Sequence, residues 1–145
     1  MEKNNVTVTI QSLQVLETGK EAMTQRSEGR LTREGEGWLL TYREGEDSGL
    51  GATRTTLRLE GERVTLTRTG ELTSQMLFQV GRPHTSLYET PYGKLPMTVN
   101  TLKLKTDLSH DGGRIDLHYQ IQLGGGSAGE TRLRLTLRTK ENESI

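Results

Sequence analysis

Apolar and polar residues alternate along most of this chain, beginning with the run Val6-Thr7-Val8-Thr9-Ile10. A period of two is typical of β-strands that bury one face and expose the other to water. The alternation returns in further runs, which are Thr53 to Leu59, Val64 to Leu66, Leu72 to Val80, Ile115 to Leu123 and Thr131 to Leu137. No window of ordinary helix length keeps a helical period. We therefore predict an all-β domain, a single antiparallel up-and-down β-barrel of about 8–10 strands joined by short hairpins.

The turns between these runs predict how the strands pair. Gly61-Glu62 has the sequence of a two-residue type II′ hairpin, which places Leu59 opposite Val64 and Thr55 opposite Arg68. The turn Glu34-Gly35 places Leu31 opposite Trp38. The turn Thr69-Gly70-Glu71 places Arg68 opposite Leu72 and Leu66 opposite Ser74. The Gly124–Ser127 loop places Tyr119 opposite Leu135 and Asp116 opposite Arg138. In the Gly61-Glu62 and Glu34-Gly35 hairpins the apolar pairs fall on one face, as a real hairpin requires.

The alternation changes phase within two of the predicted strands. In the first strand the apolar positions change from the even-numbered phase, which ends at Ile10, to the odd-numbered phase, which begins at Leu13. In a later strand the phase changes between Thr101 and Leu102. An extra residue that moves the side chains to the opposite face is the signature of a β-bulge. We predict a bulge in each strand, and bulges bend strands around the corners of a barrel.

Composition limits the classes of function. The 145 residues fit one domain, 1–145, with 140–145 as a frayed tail. The 19 basic and 19 acidic side chains give zero formal net charge, which argues against nucleic acid and acidic membranes as partners and leaves a homodimer open. The absence of cysteine excludes disulfides and thiol catalysis. No secretory signal or membrane-spanning run is visible, so we expect a cytoplasmic protein.

The sequence contains no recognisable catalytic or metal-binding motif. His84, His110 and His118 stand without another histidine or a carboxylate at metal-ligand spacing. No Gly-x-Ser-x-Gly nucleophile elbow occurs. We predict no metal, no cofactor and no catalytic residues.

The inward phase of the strands contains several polar side chains. Arg68 is in phase with Val64 and Leu66, and the hairpins place Thr55 and Ser74 beside it. A guanidinium that faces a barrel interior must be paired or hydrogen-bonded. Arg68 is therefore either an anchor for a carboxylate or phosphate group, or a structural residue satisfied by backbone carbonyls at the neighbouring turn.

Tyr88 and Thr90 share one face of another run, where a phenol and a hydroxyl would orient a ligand. The alternative is that Tyr88 packs in the core with its hydroxyl bonded to the chain. The apolar part of the inner surface is predicted to consist of Trp38, Leu40, Tyr42, Met76, Phe78, Val80, Met97 and Val99.

The region from Gly37 to Thr139 carries a family resemblance. The runs Trp38–Tyr42, Arg68–Glu71 and Gly113–Tyr119 and, above all, the segment Leu87-Tyr88-Glu89-Thr90-Pro91-Tyr92-Gly93-Lys94-Leu95 resemble the DUF1934 or YwiB-like family of bacterial proteins of unknown function. The resemblance implies a calycin-like β-barrel, similar in architecture to lipocalins and fatty-acid-binding proteins. It implies no activity.

These observations predict a barrel that binds a small molecule, such as an anionic amphiphile, in its interior. The predicted ligand-binding residues are Arg68, Tyr88, Thr90, Thr55 and Ser74 at a polar end and Trp38, Tyr42, Met76, Phe78 and Met97 around an apolar pocket. The main alternative is a packed structural barrel that acts as a protein–protein interaction module without a ligand, and an enzyme is a third class. A cavity larger than one or two waters would favour a binding barrel. Arg68 hydrogen-bonded to a carboxylate beside an open cleft would favour an enzyme.

Overall fold

Ten antiparallel strands follow one another in the part of the chain that the structure describes. The computed structural model describes residues 4–44, 53–70, 73–91, 93–124 and 126–140, without the side chains of Thr90, Ser127 and Ala128. The strands are β1 (Val6–Leu16), β2 (Gly19–Glu34), β3 (Gly37–Arg43), β4 (Thr53–Glu60), β5 (Arg63–Gly70), β6 (Ser74–Phe78), β7 (His84–Thr90), β8 (Gly93–Ser109), β9 (Gly112–Leu123) and β10 (Gly126–Thr139).

The sheet order is β6-β5-β4-β3-β2-β1-β10-β9-β8-β7. Neighbouring strands are consecutive hairpins, except that β1 pairs with β10 and so joins the two halves of the chain. The terminal strands β6 and β7 approach each other, and Ser86 Oγ donates a hydrogen bond of 2.8 Å to the carbonyl oxygen of Gln75 across this seam. The predicted all-β, up-and-down barrel is confirmed, in a nearly closed form. Within the described residues, no helix is long and apolar enough to cross a membrane.

The predicted register is confirmed in one hairpin and wrong in its neighbour. Across β4 and β5, Thr55 pairs with Arg68 and Leu59 pairs with Val64, as expected. Across β2 and β3, Leu31 pairs with Leu40, not with Trp38. The β2–β3 turn is Gly35-Glu36, because the first position of such a turn needs a positive φ, and Gly35 adopts +59° there.

Two more registers differ from the prediction. Ser74 lies opposite Arg68, and Met76 lies opposite Leu66, while Leu72 lies outside the described residues. Tyr119 faces Thr131, because the turn after β9 begins at Gly124 and pairing resumes at Gly126. As a result, Asp116 faces Arg134 in place of Arg138, and the two side chains form an ion pair with a 2.7 Å distance between Nε and Oδ1.

One of the two predicted bulges is confirmed. The pairing of β8 with β9 shifts between Thr101 and Lys103. In β1, however, the pairing with β2 runs without a shift from Val6 to Leu16, so the predicted bulge there is wrong. The inward row of β1 continues from Ile10 through polar side chains, and this brings Ser12 and Gln14 into the lining of an interior cavity.

The inner faces of the strands form one apolar core. Its largest fully buried side chain is that of Phe78. Val80, predicted to belong to this surface, is 55% exposed, because β6 ends at Phe78 and the strand alternation ends with it. Lys140, where the predicted frayed tail begins, forms two contacts: its backbone N–H donates to the carbonyl oxygen of Asn5 at 3.1 Å, and its Nζ lies 2.9 Å from Oε1 of Glu28. The frayed tail stays a prediction. Residues 141–145 lie outside the described part of the chain.

Candidate functional site

Polar side chains converge inside the barrel at the end where β3, β5, β7 and β9 finish. A cavity of about 360 Å³ opens there. Its polar lining includes Ser12, Gln25, Tyr42, Glu44, Arg68, Ser74, Tyr88 and Thr131, and its apolar lining includes Ile10, Met23, Met76, Met97, Ile121 and Leu133. The interior therefore changes from an apolar core to a mixed, partly polar pocket along the barrel axis.

Glu44 is the central acidic group of this pocket. Its side chain is 2% exposed. Oε1 accepts a hydrogen bond of 2.5 Å from the hydroxyl of Thr55, and Oε2 accepts one of 3.3 Å from the amide Nε2 of Gln25. The guanidinium of Arg68 lies close by, with Nε 3.8 Å from Oε1. A buried carboxylate requires such partners, because its isolated burial would cost several kcal/mol.

Sequence reasoning missed Glu44, although a signal for it exists. Trp38, Leu40 and Tyr42 alternate on the inner face of β3, and the next residue in that phase is Glu44. The charged run that follows Tyr42 contains no apolar residue to continue the alternation as far as Glu44. Extending the strand period by one step places a carboxylate next to Tyr42, and the observed pairing of Thr55 with both Tyr42 and Arg68 then brings it near the guanidinium.

Among the described residues that line the pocket, two side-chain polar atoms are buried without a hydrogen-bond partner. One is Nε of Arg68, a donor, because its 3.8 Å distance to Glu44 exceeds hydrogen-bond range. The other is Oε1 of Gln25, an acceptor. Exchanging the amide atoms of Gln25 would turn its oxygen towards the Glu44 carboxylate, so the contact with Glu44 fixes the amide orientation. A complementary polar molecule in the cavity could satisfy both atoms.

The two buried tyrosines of the pocket are held in their neutral form. Burial raises the pKa of Tyr42, the charge of Glu44 raises it further, and the charge of Arg68 partly opposes both effects. Burial likewise raises the pKa of Tyr119, while the charge of Arg68 and a hydrogen bond with Thr131 act in the opposite direction. Both phenols therefore keep their protons at neutral pH.

The structure brings six of the predicted ligand-binding residues into the lining of this cavity: Arg68, Tyr88, Ser74, Tyr42, Met76 and Met97. Thr55 is fully buried and supports Glu44. Phe78 lies in the core against Tyr119, with ring centroids 4.8 Å apart. The side chain of Thr90, like all of Tyr92, lies outside the described residues.

Trp38 lies far from the pocket, near the opposite end of the barrel. It pairs with Leu59, whereas Tyr42 of the same strand pairs with Thr55. Its ring packs edge-on against His110 at 5.5 Å and beneath the guanidinium of Arg33 at 5.0 Å. A four-residue separation along a strand corresponds to about 13 Å, so Trp38 and the polar pocket belong to different ends of the interior.

The described residues contain no group of three or more His, Cys, Asp or Glu side chains that could hold a metal ion. The acid–base groups of the pocket are Glu44, Arg68 and the phenols. Glu44 and Arg68 form a pair of opposite charges, and their arrangement is suited to hydrogen bonding with a guest molecule.

These features define the class of the protein, a nearly closed ten-stranded antiparallel β-barrel with a partly polar cavity at one end. The chain belongs to the family described as "Domain of unknown function (DUF1934)", whose model matches residues 8–135. The family predicted from the sequence resemblance is therefore confirmed.

Two comparisons with individual proteins agree with this assignment. The uncharacterized β-barrel protein YwiB of Bacillus subtilis (strain 168) is 25% identical over 79 residues, which are 54% of this chain and 56% of that protein. The chain thus matches little more than half the length of that relative. The crystal structure of the ywiB protein from Bacillus subtilis has a TM-score of 0.83 at 21% identity, over 94% of this chain and 92% of that one. This likeness supports the fold, and the similarity to calycins and lipocalins stays a prediction.

Proposed function

We propose that this protein binds a small amphiphilic molecule inside the polar end of its barrel. The cavity of about 360 Å³ lies at the lower end of the roughly 300–1,000 Å³ range of ligand pockets. That size favours a compact guest over a long-chain lipid. Flexible apolar side chains, those of Met23, Met76 and Met97, line one side and can adapt to the shape of a guest.

The observation that carries the proposal is the pair of unsatisfied atoms in one cavity lining. Arg68 Nε needs an acceptor, and Gln25 Oε1 needs a donor. Buried polar groups without partners cost about 1–3 kcal/mol each. A guest that supplies both an acceptor and a donor would recover this free energy on binding.

The charge of Glu44 refines the chemistry of the expected ligand. An anionic head would be attracted to Arg68, but Glu44 lies beside the same guanidinium and offsets that attraction. A neutral head with both an acceptor and a donor, such as a primary amide or a hydroxyl, fits the two unsatisfied atoms better. We therefore rank a neutral amphiphile above an anionic one.

The cavity also bears on the two other classes of function. A packed interaction module would have no cavity larger than one or two waters, and a water occupies about 30 Å³. The observed volume supports a binding barrel over that alternative. The enzyme class is supported less, because Arg68 Nε approaches Glu44 without a hydrogen bond. A homodimer and a cytoplasmic location stay predictions, which sedimentation and cell fractionation test.

The experiment compares alkyl amides, alcohols and carboxylates of matched chain length by thermal shift and calorimetry. A true ligand raises Tm as its concentration rises. We expect short-chain amides or alcohols to bind, and Arg68→Gln to weaken binding by about 10- to 100-fold, the value of a hydrogen bond to a charged group. Arg58→Gln is the matched control, because Arg58 is half exposed and pairs with Glu34 away from the cavity.

A second cavity variant protects the test against misfolding. Gln25→Ala removes the other unsatisfied atom and leaves Arg68 in place. It should weaken the amide more than a matched ether that lacks a donor. If no compound in the series shifts Tm, or if Arg68→Gln and Arg58→Gln weaken binding equally, the proposed function is wrong.

A further inference from the structure

Basic residues concentrate on the outer wall of the barrel, over β10, β1, β2, β3 and β4. We define the basic wall by its cations, which are Arg26, Arg30, Arg43, Arg54, Arg138 and Lys140. The strand registers bring them together, since Thr7 pairs with both Arg138 and Glu28, and Arg43 pairs with Arg54. Zero net charge over the whole chain thus conceals a strongly uneven distribution.

One carboxylate, that of Glu28, lies among these cations in the described part of the wall, and Lys140 already pairs with it. Other acids lie at the turns, such as Glu34, Glu36 and Glu62. The chain segment between Arg43 and Arg54 contains three acids: Glu44, which lines the interior cavity, and Glu46 and Asp47, which lie outside the described residues.

Among the cations of the wall, the pair Arg43 and Arg54 gives the strongest support for a bound anion. They lie directly opposite each other on neighbouring strands, and both are exposed. Like charges in this position destabilise a sheet. Neither guanidinium forms an ion pair with any carboxylate of the described chain. A bound anion would remove this repulsion.

A shallow groove of about 1060 Å³ runs over the same wall. Its lining includes Arg30, Arg43 and Arg54, the hydroxyl-bearing Thr32 and Thr41, and one carboxylate, that of Glu28, which pairs with Lys140. Arginine forks and threonine hydroxyls are groups that bind phosphate oxygens. The chemistry of the groove is therefore that of a phosphate-binding surface.

The shape of the wall favours an extended phosphate ligand over a small one. Five neighbouring strands span about 19 Å, and phosphates of one nucleic-acid strand recur about every 3.4 Å along a duplex axis. Among the described residues, the exposed large hydrophobic residues Val80, Leu87, Leu95 and Leu102 lie off the strands of this wall, and Leu16 ends β1 at the opposite end from Thr7 and Arg138. The described part of the wall therefore has no exposed aromatic side chain on which unpaired bases could stack and no large exposed apolar residue to anchor it in a membrane.

We propose that the basic wall binds double-stranded nucleic acid through its phosphate backbone, without preference for base sequence. This inference is independent of the interior ligand and departs from the expectation based on net charge. Net charge reports the sum of the charges, whereas binding to a polyanion depends on where they lie. The interaction is electrostatic and must weaken steeply as salt is added.

The test measures fluorescence anisotropy of a labelled mixed-sequence duplex, as DNA and as RNA, over a series of salt concentrations. We expect binding at low salt, with log K falling linearly against log salt. Arg43→Gln/Arg54→Gln removes two cations from the wall and should reduce the magnitude of that slope by about 2. Arg63→Gln/Arg82→Gln is the matched control, because it makes the same charge change at turns away from the wall.

Each other outcome overturns the proposal. Absence of binding at low salt would exclude the surface, and equal losses in both double variants would show a response to net charge alone. Tighter binding to an unpaired strand, or to anionic lipid vesicles instead of the duplex, would assign the wall to a different partner. Arg68→Gln must leave duplex binding unchanged, which separates this result from the fate of the interior site. Melting temperatures of all variants check that they are folded.

Discussion

Thr55 donates a hydrogen bond of 2.5 Å to Oε1 of Glu44, and both residues are buried. This contact joins the polar pocket to the core, because Thr55 itself is 0% exposed and pairs with Tyr42 on one side and Arg68 on the other. The hydroxyl therefore stabilises a carboxylate that water reaches poorly. Any ligand that enters the cavity meets a Glu44 held in place by this bond.

Thr55→Val tests this relationship. Valine keeps the shape of threonine but removes the donor, and we expect the free energy of unfolding to fall by about 1–3 kcal/mol, the cost of an unsatisfied buried group. Urea unfolding measures the change. Thr56→Val is the control, since its hydroxyl lies on the outer face, 3.5 Å from that of Thr41, and should change stability by about 0.5 kcal/mol or less. Equal losses in the two variants would contradict the role of the Glu44 contact.

The buried phenols predict loss of stability in alkali. Burial is the main cause of the raised pKa of both Tyr42 and Tyr119. Above about pH 10, where an unfolded tyrosine loses its proton, the folded chain still holds these protons. The unfolded state then binds fewer protons, so stability falls as pH rises further.

Urea midpoints measured at neutral pH and above about pH 10 check this prediction, together with tyrosinate absorbance of the folded protein. Tyr42→Phe should make the alkaline loss of stability smaller, and adding Tyr119→Phe should reduce it again. A double variant with the same pH dependence as the unmodified chain would show that these two residues do not cause it.

The sequence predicted which residues of each strand point inward better than it predicted which residues pair across neighbouring strands. The register of β2 and β3 is shifted by two residues from the expected one, yet Leu31, Leu40 and Trp38 all lie on the inner face as predicted. Even shifts preserve the face of every side chain because the strand period is two. The cross-strand pairing depended on which turn residue adopts a positive φ. A run such as Gly124-Gly125-Gly126 contains several glycines at which the turn could begin.

The polar site was predictable only in part for a related reason. Arg68 and Thr55 were found because their hairpin has an unambiguous two-residue turn. Glu44 stands at the end of β3 before a charged segment, and Gln25 lies in β2 where the expected alternation is masked by polar residues on both faces. A buried polar group leaves no hydrophobic signal, so its burial emerges only from the assembled strands.

Gly37 tests how closely β3 and β4 approach each other. Its φ is not positive, so alanine meets no conformational penalty there, but a Cβ would lie 2.0 Å from the carbonyl oxygen of Leu59. We expect Gly37→Ala to reduce stability by about 1–3 kcal/mol or more, because the strands must separate. Gly126→Ala is the matched control, with its nearest neighbour at 3.7 Å. A small effect at Gly37, measured by urea unfolding, would contradict this close packing.

Two substitutions test where β6 ends, one at its last inward position, Phe78, and one at the next position of the same phase, Val80. Phe78 is fully buried against Tyr119, whereas Val80 is 55% exposed. We expect Phe78→Ala to lower the free energy of unfolding by about 3–5 kcal/mol and Val80→Ala to lower it by about 0.5 kcal/mol or less. Should the alanine variant at Phe78 fail to fold, Phe78→Leu gives a smaller loss in the same direction. Comparable losses at both positions would mean that the buried row continues through Val80, because only a packed valine leaves a cavity when it is truncated.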